Sequence, residues 1–265
     1  MMIGLIGCGN MGSAIIKGGI TSKVLKGSEV FVYDVVEQSM NKMLEMGINK
    51  CKSNDDLLEK CDIIILATKP QYTQEIIEAI NPGLLKNKAI ISILAGMKTN
   101  TLKEMMPDTR ILRVMPNTAA LVFEGATVFS LSTDFFEEEK DIAKNLFNSI
   151  GKIEWIEENL IDAISGFSGA GPAYVAMIIE AMSDGAVKQG IPRKVAYQLA
   201  AQTLLGSAKL FLETQMSPSQ MKDMVTSPGG VTIAGVEALE KGNIRYAFMD
   251  CIDAATKRAK ELGQK

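Results

Sequence analysis

Near its start the chain reads Ile3-Gly4-Leu5-Ile6-Gly7-Cys8-Gly9-Asn10-Met11-Gly12. A short apolar, strand-like run ends in Gly-x-Gly-x-x-Gly and passes at once into a helical pattern. Few folds accept that order. In a dinucleotide-binding βαβ unit, Gly7 permits the tight turn, Gly9 lets backbone approach a pyrophosphate, and Gly12 lets the helix pack closely on the strand. The backbone N–H groups of the first helical turn then face the anion. A plain strand-to-helix turn also uses glycine, so the downstream residues decide between the two. Asp34 ends a second strand-like run, Val30-Phe31-Val32-Tyr33, 22 residues beyond Gly12. An acid at about that distance bonds the ribose hydroxyls of NAD and repels the extra phosphate of NADP. The competing reading is that Asp34 caps the helix that begins near Glu37.

Charge and composition exclude several classes. The 28 basic and 31 acidic residues leave a net charge of −3, so nothing favours nucleic acid or an anionic membrane as a partner. The chain has no histidine, which rules out a His general base and any Ser-His-Asp or Cys-His device. Cys8, Cys51, Cys61 and Cys251 form no CxxC pair, and no metal site is expected. They read as free thiols of a reducing compartment. With no apolar run near the ~20 residues of a membrane span and no basic leader, the expected location is cytoplasmic.

Two halves are legible. Residues 1–156 alternate apolar β-rich runs with helical ones: after the first unit come Cys61 to Ala67, Ala89 to Leu94, Arg110 to Met115 and Ala126 to Ser130. Continuous apolar strands separated by helices predict an α/β fold, a Rossmann-type doubly wound parallel sheet. The turns Ala67-Thr68-Lys69-Pro70, Ala95-Gly96-Met97 and Met115-Pro116-Asn117 should rim the same crevice as the glycine loop, because ligands of such sheets lie at the strands' carboxyl ends. Residues 157–265 read as an all-α domain. Pro172 and Pro192 mark helix starts, and each following helix carries only a thin polar stripe: Glu180, Asp184 and Lys188 in one, Lys194, Gln198, Gln202, Lys209 and Glu213 in the other. Helices apolar around most of their circumference need wide burial. About 100 residues cannot supply it for both, so a homodimer is expected.

Two glycine-rich stretches interrupt the helical half, Ser165-Gly166-Phe167-Ser168-Gly169-Ala170-Gly171-Pro172-Ala173-Tyr174 and Thr226-Ser227-Pro228-Gly229-Gly230-Val231-Thr232-Ile233-Ala234-Gly235. Each sets hydroxyls and backbone amides just before a helix, an arrangement that can hold a small carboxylate without arginine. Flexible linkers and close helix packing use glycine in the same way.

Read together, GCGNMG, ATKPQ, ILAGM, RVMPNTAA, SGAGPAY and VTSPGGVTIAGVEALE span essentially the whole chain, and in this order they resemble the pyrroline-5-carboxylate reductase family. The resemblance implies an N-terminal Rossmann domain, a helical domain that interlocks in a homodimer, and a decamer of five dimers as the larger assembly. It implies an oxidoreductase that transfers hydride from NAD(P)H to the cyclic imine 1-pyrroline-5-carboxylate, giving L-proline. Residue by residue, Gly7, Gly9, Asn10, Met11 and Gly12 match the pyrophosphate loop, and Asn54 matches a contact near the adenosine. Ala67, Thr68, Lys69 and Pro70 match the nicotinamide side, with Ala95 and Gly96 beside them. Glu158, Ser168, Ser227, Gly229, Gly230, Val231 and Thr232 match the substrate side. Thr232 is expected to hydrogen-bond the ring nitrogen, and Ser227 with the neighbouring amides to hold the carboxylate.

The chain departs from the family pattern in three places. Asp34-Val35-Val36 stands where many members carry Asn-Arg-Ser and favour NADP, so the expected cofactor leans to NADH. Ala170 replaces a serine, and Val231 replaces a threonine, leaving Thr232 the only side-chain hydroxyl of its pair. Two rival readings stand beside it: a reductase of the hydroxyacid dehydrogenase type, which also joins a glycine loop to a helical half but usually needs a Lys or His near its substrate, and a non-catalytic NAD-binding sensor that uses the dimer to report redox state.

Overall fold

Alternate residues of the buried strands face opposite ways, and both sets are apolar. Ile3, Leu5, Ile63, Ile65 and Ile91 join one core cluster, while Ile6, Ile64, Leu66 and Ile90 join another. A sheet covered on both faces is what such runs require. The computed structural model, which describes residues 1–263, builds it from β1 (Ile3–Ile6), β2 (Val30–Tyr33), β3 (Asn49–Lys50), β4 (Ile63–Leu66), β5 (Ala89–Ser92), β6 (Arg110–Met115), β7 (Gly125–Ser130) and β8 (Gly151–Ile156). Their order is β3-β2-β1-β4-β5-β6-β7-β8. Helices α1 (Asn10–Thr21), α2 (Glu37–Leu44), α3 (Asn54–Lys60), α4 (Pro70–Glu78), α5 (Pro82–Leu85), α6 (Thr99–Met105) and α7 (Glu137–Asn148) connect them. Residues from α1, α2 and α7 fill the first cluster, and those from α3, α4, α5 and α6 fill the second, so the winding is double.

The expected parallel sheet is present, with one antiparallel joint. β1 to β6 pair in parallel, but β7 runs antiparallel to β6, with Val114 opposite Phe129. The connection between them holds only a short 3-10 turn, Thr118–Val122. A parallel return needs a dozen or more residues and usually a helix. The crossover through α7 then restores a parallel pair, β7 with β8. Because β7 meets β6 only near its far end, the near end of β6 lacks a strand partner on that side. There Asp134 accepts from Ile111 N–H at 2.7 Å, and Thr133 Oγ1 donates to Ile111 O at 2.7 Å. Side chains thus complete the ladder.

After β8 come α8 (Ile161–Ile164), a π-helical turn (Ser165–Gly169), α9 (Gly171–Lys188), α10 (Arg193–Thr214), α11 (Pro218–Met224), α12 (Val231–Lys241) and α13 (Ile244–Leu262). Residues 264 and 265, included in the expected helical domain, lie outside the described residues. The chain forms two compact units. One comprises Met1–Ala170 with residues 254–263, so it claims the last half of α13; the other is Gly171–Asp253.

The second unit, taken alone, has almost no interior. Only Ser183 of α9 and only Ala196 and Ala200 of α10 are buried. Met177 is 69% exposed and Leu212 68% exposed. Patches of this extent on helices mark a protein interface.

Candidate active site

β1, β2, β3, β4 and β5 run the same way, so the turns after them share one edge of the sheet. Gly7 sits at φ +98°. A Cβ there would meet the Ala67 carbonyl at 2.7 Å, and one at Gly12 would meet Gly7 O at 2.5 Å. Both glycines are therefore fixed by close backbone approach. Gly9 differs: a Cβ would meet nothing within 4 Å. Gly9 is also the N-cap of α1 and provides no side-chain cap, so the helix presents uncapped N–H groups to open space. This is the cradle that a pyrophosphate needs.

Asp34 has two bonds. Its Oδ2 accepts from Cys8 N–H at 2.6 Å and its Oδ1 from Val36 N–H at 2.8 Å. The capping reading is thus set aside, since Val36 caps α2 without a side-chain bond. Asp34 instead ties the glycine loop to the end of β2. Beside it Val35 is 86% exposed. Burial, with the Asp34 charge close by, pushes the Cys8 thiol up to about 12, so it stays protonated and is no nucleophile. Asn54 opens α3 with its Oδ1 buried and unpartnered. A buried acceptor without a donor is costly, so this atom suits a bound hydroxyl or amine.

The turn after β4 is held by Thr68 Oγ1 against Thr73 Oγ1 at 3.1 Å, and Lys69 and Pro70 start α4. The turn after β5 includes Ala95 and Gly96, the latter at φ +77°. Asn117, after β6, donates to Ser168 O at 3.0 Å and accepts from Ala126 N–H at 3.1 Å. It pins the π-helical turn, where Ala170 N–H reaches Ser165 O. Single π turns recur at functional sites.

Glu158, a substrate-side candidate, is held within its own unit. Its Oε1 accepts from Thr99 N–H at 2.7 Å and lies 3.5 Å from Arg113 Nη1. Arg113 Nη2 reaches Asp162 Oδ1 at 3.2 Å. The sequence reading missed this group. A charged residue inside an apolar strand must find buried partners, and the Glu158–Asp162 spacing of one helical turn was the available signal.

In the second unit, Ser227, Gly229, Gly230, Val231 and Thr232 form one turn. Gly230 N–H bonds Ser227 O at 3.0 Å, and Gly229 takes φ +66°. A side chain at Gly230 would overlap Ser227 Oγ. Gly230 caps α12 without a side-chain bond, so the first N–H groups of that helix are open beside the hydroxyls of Ser227 and Thr232. Such a helix start attracts a carboxylate.

A family model described as pyrroline-5-carboxylate reductase dimerisation matches residues 158–262. Another, described as NADP oxidoreductase coenzyme F420-dependent, matches residues 2–96. A pyrroline-5-carboxylate reductase of Arabidopsis thaliana is 41% identical, with 99% of this chain and 95% of that protein covered. That of Methanosarcina acetivorans is also 41% identical, with 99% and 98% covered. The crystal structure of Plasmodium falciparum pyrroline carboxylate reductase with NADP bound superimposes with a TM-score of 0.89 at 34% identity, covering 99% of this chain and 98% of that one.

Proposed function

Since the chain belongs to the pyrroline-5-carboxylate reductase family, we infer that its two motifs divide one reaction, the reduction of 1-pyrroline-5-carboxylate to L-proline as the last step of proline biosynthesis. The observation that carries this is the match to reductases of that name over 99% of the chain. The protein is a nicotinamide-dependent oxidoreductase and a homodimer.

The open N-terminus of α1, the unfilled space at Gly9 and the unpartnered Asn54 Oδ1 fit a dinucleotide. When bound, the reduced nicotinamide supplies the hydride that turns the C=N bond into an amine. In our reading Gly7, Gly9, Asn10, Met11 and Gly12 hold the pyrophosphate, and Asn54 contacts the adenosine side. Ala67, Thr68, Lys69 and Pro70, with Ala95 and Gly96, flank the nicotinamide. Ser227 and the open amides of Gly229 to Thr232 hold the substrate carboxylate, and Ser168 and Glu158 are further substrate contacts. Thr232 Oγ1–H donates a hydrogen bond to the neutral imine nitrogen, polarising the C=N bond, and Oγ1 accepts from that nitrogen once it is protonated. A protonated imine needs little further acid catalysis, which suits a chain without histidine.

We further read the cofactor as NADH. Asp34 puts a carboxylate, and Val35 an aliphatic side chain, where an added phosphate would need a cation. The four free cysteines support a reducing, cytoplasmic location. A decamer of five dimers rests on the family pattern, and light scattering distinguishes ten chains from two.

The test is loss of reduced-nicotinamide absorbance on adding pyrroline-5-carboxylate, run in parallel with NADH and NADPH. Consumption with this imine but not with 2-oxo or 3-hydroxy acids is expected. No consumption with either cofactor would overturn the assignment.

A further inference from the structure

Between Leu112 and Val114, both in the first core cluster, β6 carries a full charge to which the reaction as described gives no role. Arg113 is 1% exposed, and its Nε is buried without a partner among the described residues. The guanidinium forks: Nη2 reaches Asp162 Oδ1 at 3.2 Å, and Nη1 lies 3.5 Å from Glu158 Oε1. Ion pairs buried this deeply add little stability that apolar residues could not supply. This one supplies direction and charge. The two contacts that hold Glu158, from Arg113 and from the Thr99 N–H, both fall on Oε1, and neither uses Oε2. The Glu158 side chain is still 19% exposed, so a ligand can meet the second oxygen. The charges do not balance: one guanidinium stands against two carboxylates, which leaves one negative charge over. Asp162 is itself buried, so Glu158 is where that charge is met from outside. A protonated cyclic imine brings one positive charge on its ring nitrogen.

We propose that Arg113 is a positioning residue for the substrate: anchored on Asp162, it fixes Glu158 through Oε1, so that the unbalanced negative charge is offered at Oε2 to the protonated ring nitrogen. The proposal rests on the reading of Glu158 as a substrate contact. Thr232 keeps its hydrogen bond to that nitrogen, and Glu158 supplies the opposite charge. Arg113 acts through Glu158 alone.

Arg113→Lys gives the test. It keeps a buried cation but gives up the fork, since one ammonium cannot hold both carboxylates in the same geometry. NADH and NADPH dissociation constants are measured by calorimetry without substrate, and imine KM and kcat by steady-state kinetics at saturating cofactor. Arg113→Lys should raise the imine KM about tenfold, the contribution of one partly shielded ion pair, with kcat and both dinucleotide constants kept. Glu158→Gln, which loses the charge, should raise the imine KM to a similar extent. Adding Arg113→Lys to Glu158→Gln should raise it no further, because the guanidinium works through that carboxylate. Asp162→Ala leaves a balanced Arg113–Glu158 pair while removing both the anchor and the extra charge. It should raise the imine KM in the same way, so the test stands even if Arg113→Lys does not fold. Parallel losses in dinucleotide affinity and imine KM, as a damaged fold produces, an unchanged imine KM in Asp162→Ala, or additive losses in the double variant would each overturn the proposal. A wild type that leaves the imine unreduced would overturn the assigned reaction and the proposal with it, whereas an active wild type with any of those three results overturns the proposal alone.

Discussion

At the residue scale, the two halves of the reaction come down to single polar atoms. On the proposed reading Thr232 supplies the hydroxyl at the start of α12 that meets the ring nitrogen, because its neighbour is Val231. Thr232→Ala should therefore lower turnover on pyrroline-5-carboxylate by roughly ten- to a hundredfold, with dinucleotide affinity kept; steady-state kinetics beside a binding titration checks this, and an unchanged rate removes Thr232 from the chemistry. Asp34 bears on the other half. On the proposed NADH reading, in which Asp34 is the ribose acceptor, Asp34→Ala should weaken NADH more than NADPH and relieve repulsion of a phosphate. A wild type that uses NADPH far better would contradict the reading of β2. The position of Asp34 after β2 was legible from spacing. Its bond to Cys8 N–H was not, because it depends on how far the glycine loop folds back.

At the scale of elements, the apolar runs foretold the parallel core but not its edge. β3 has two residues, too few to show a period, and β8 alternates charged and apolar residues at the border of the sheet. The reversal at β7 came from a connection too short to cross over, and the price at β6 is met by Asp134. Partial burial alone pushes the Asp134 pKa up, but the Lys103 hydrogen bond, the Ile111 N–H and the ammonium charge hold it below the usual carboxylate range. A pKa lowered on folding adds stability that is complete above the unfolded value, about 3.9, and is lost as pH falls through the folded one. Asp134→Asn should therefore lower the melting temperature at neutral pH, with the gap to wild type closing below about pH 4. A gap of constant size across that range would show that the charge of Asp134 is irrelevant.

At the scale of the whole molecule, the thin polar stripes of α9 and α10 announced a partner before any coordinates did, and the exposed Met177 and Leu212 bear that out as surface. Leu212→Lys should shift the dimer towards monomer and make the melting temperature depend on protein concentration, read by size exclusion and by melts at several dilutions. A dimer as tight as wild type would place the contact on another face. What the sequence hid at this scale is the division of α13, whose last half packs with residues from the beginning of the chain. A side chain at Gly166 would meet Thr256 N at 2.6 Å, and Gly263 lies against Gly96. Such close fits have no periodic signature. They also set an order of events at the ribosome, where chains emerge at about 5–20 residues per second. The nucleotide-binding half can form its sheet early, yet the seat at Gly166 and the outer side of the Gly96 turn stay bare until α13 leaves the exit tunnel. The unit that carries the glycine loop is thus complete only once α13 has been made.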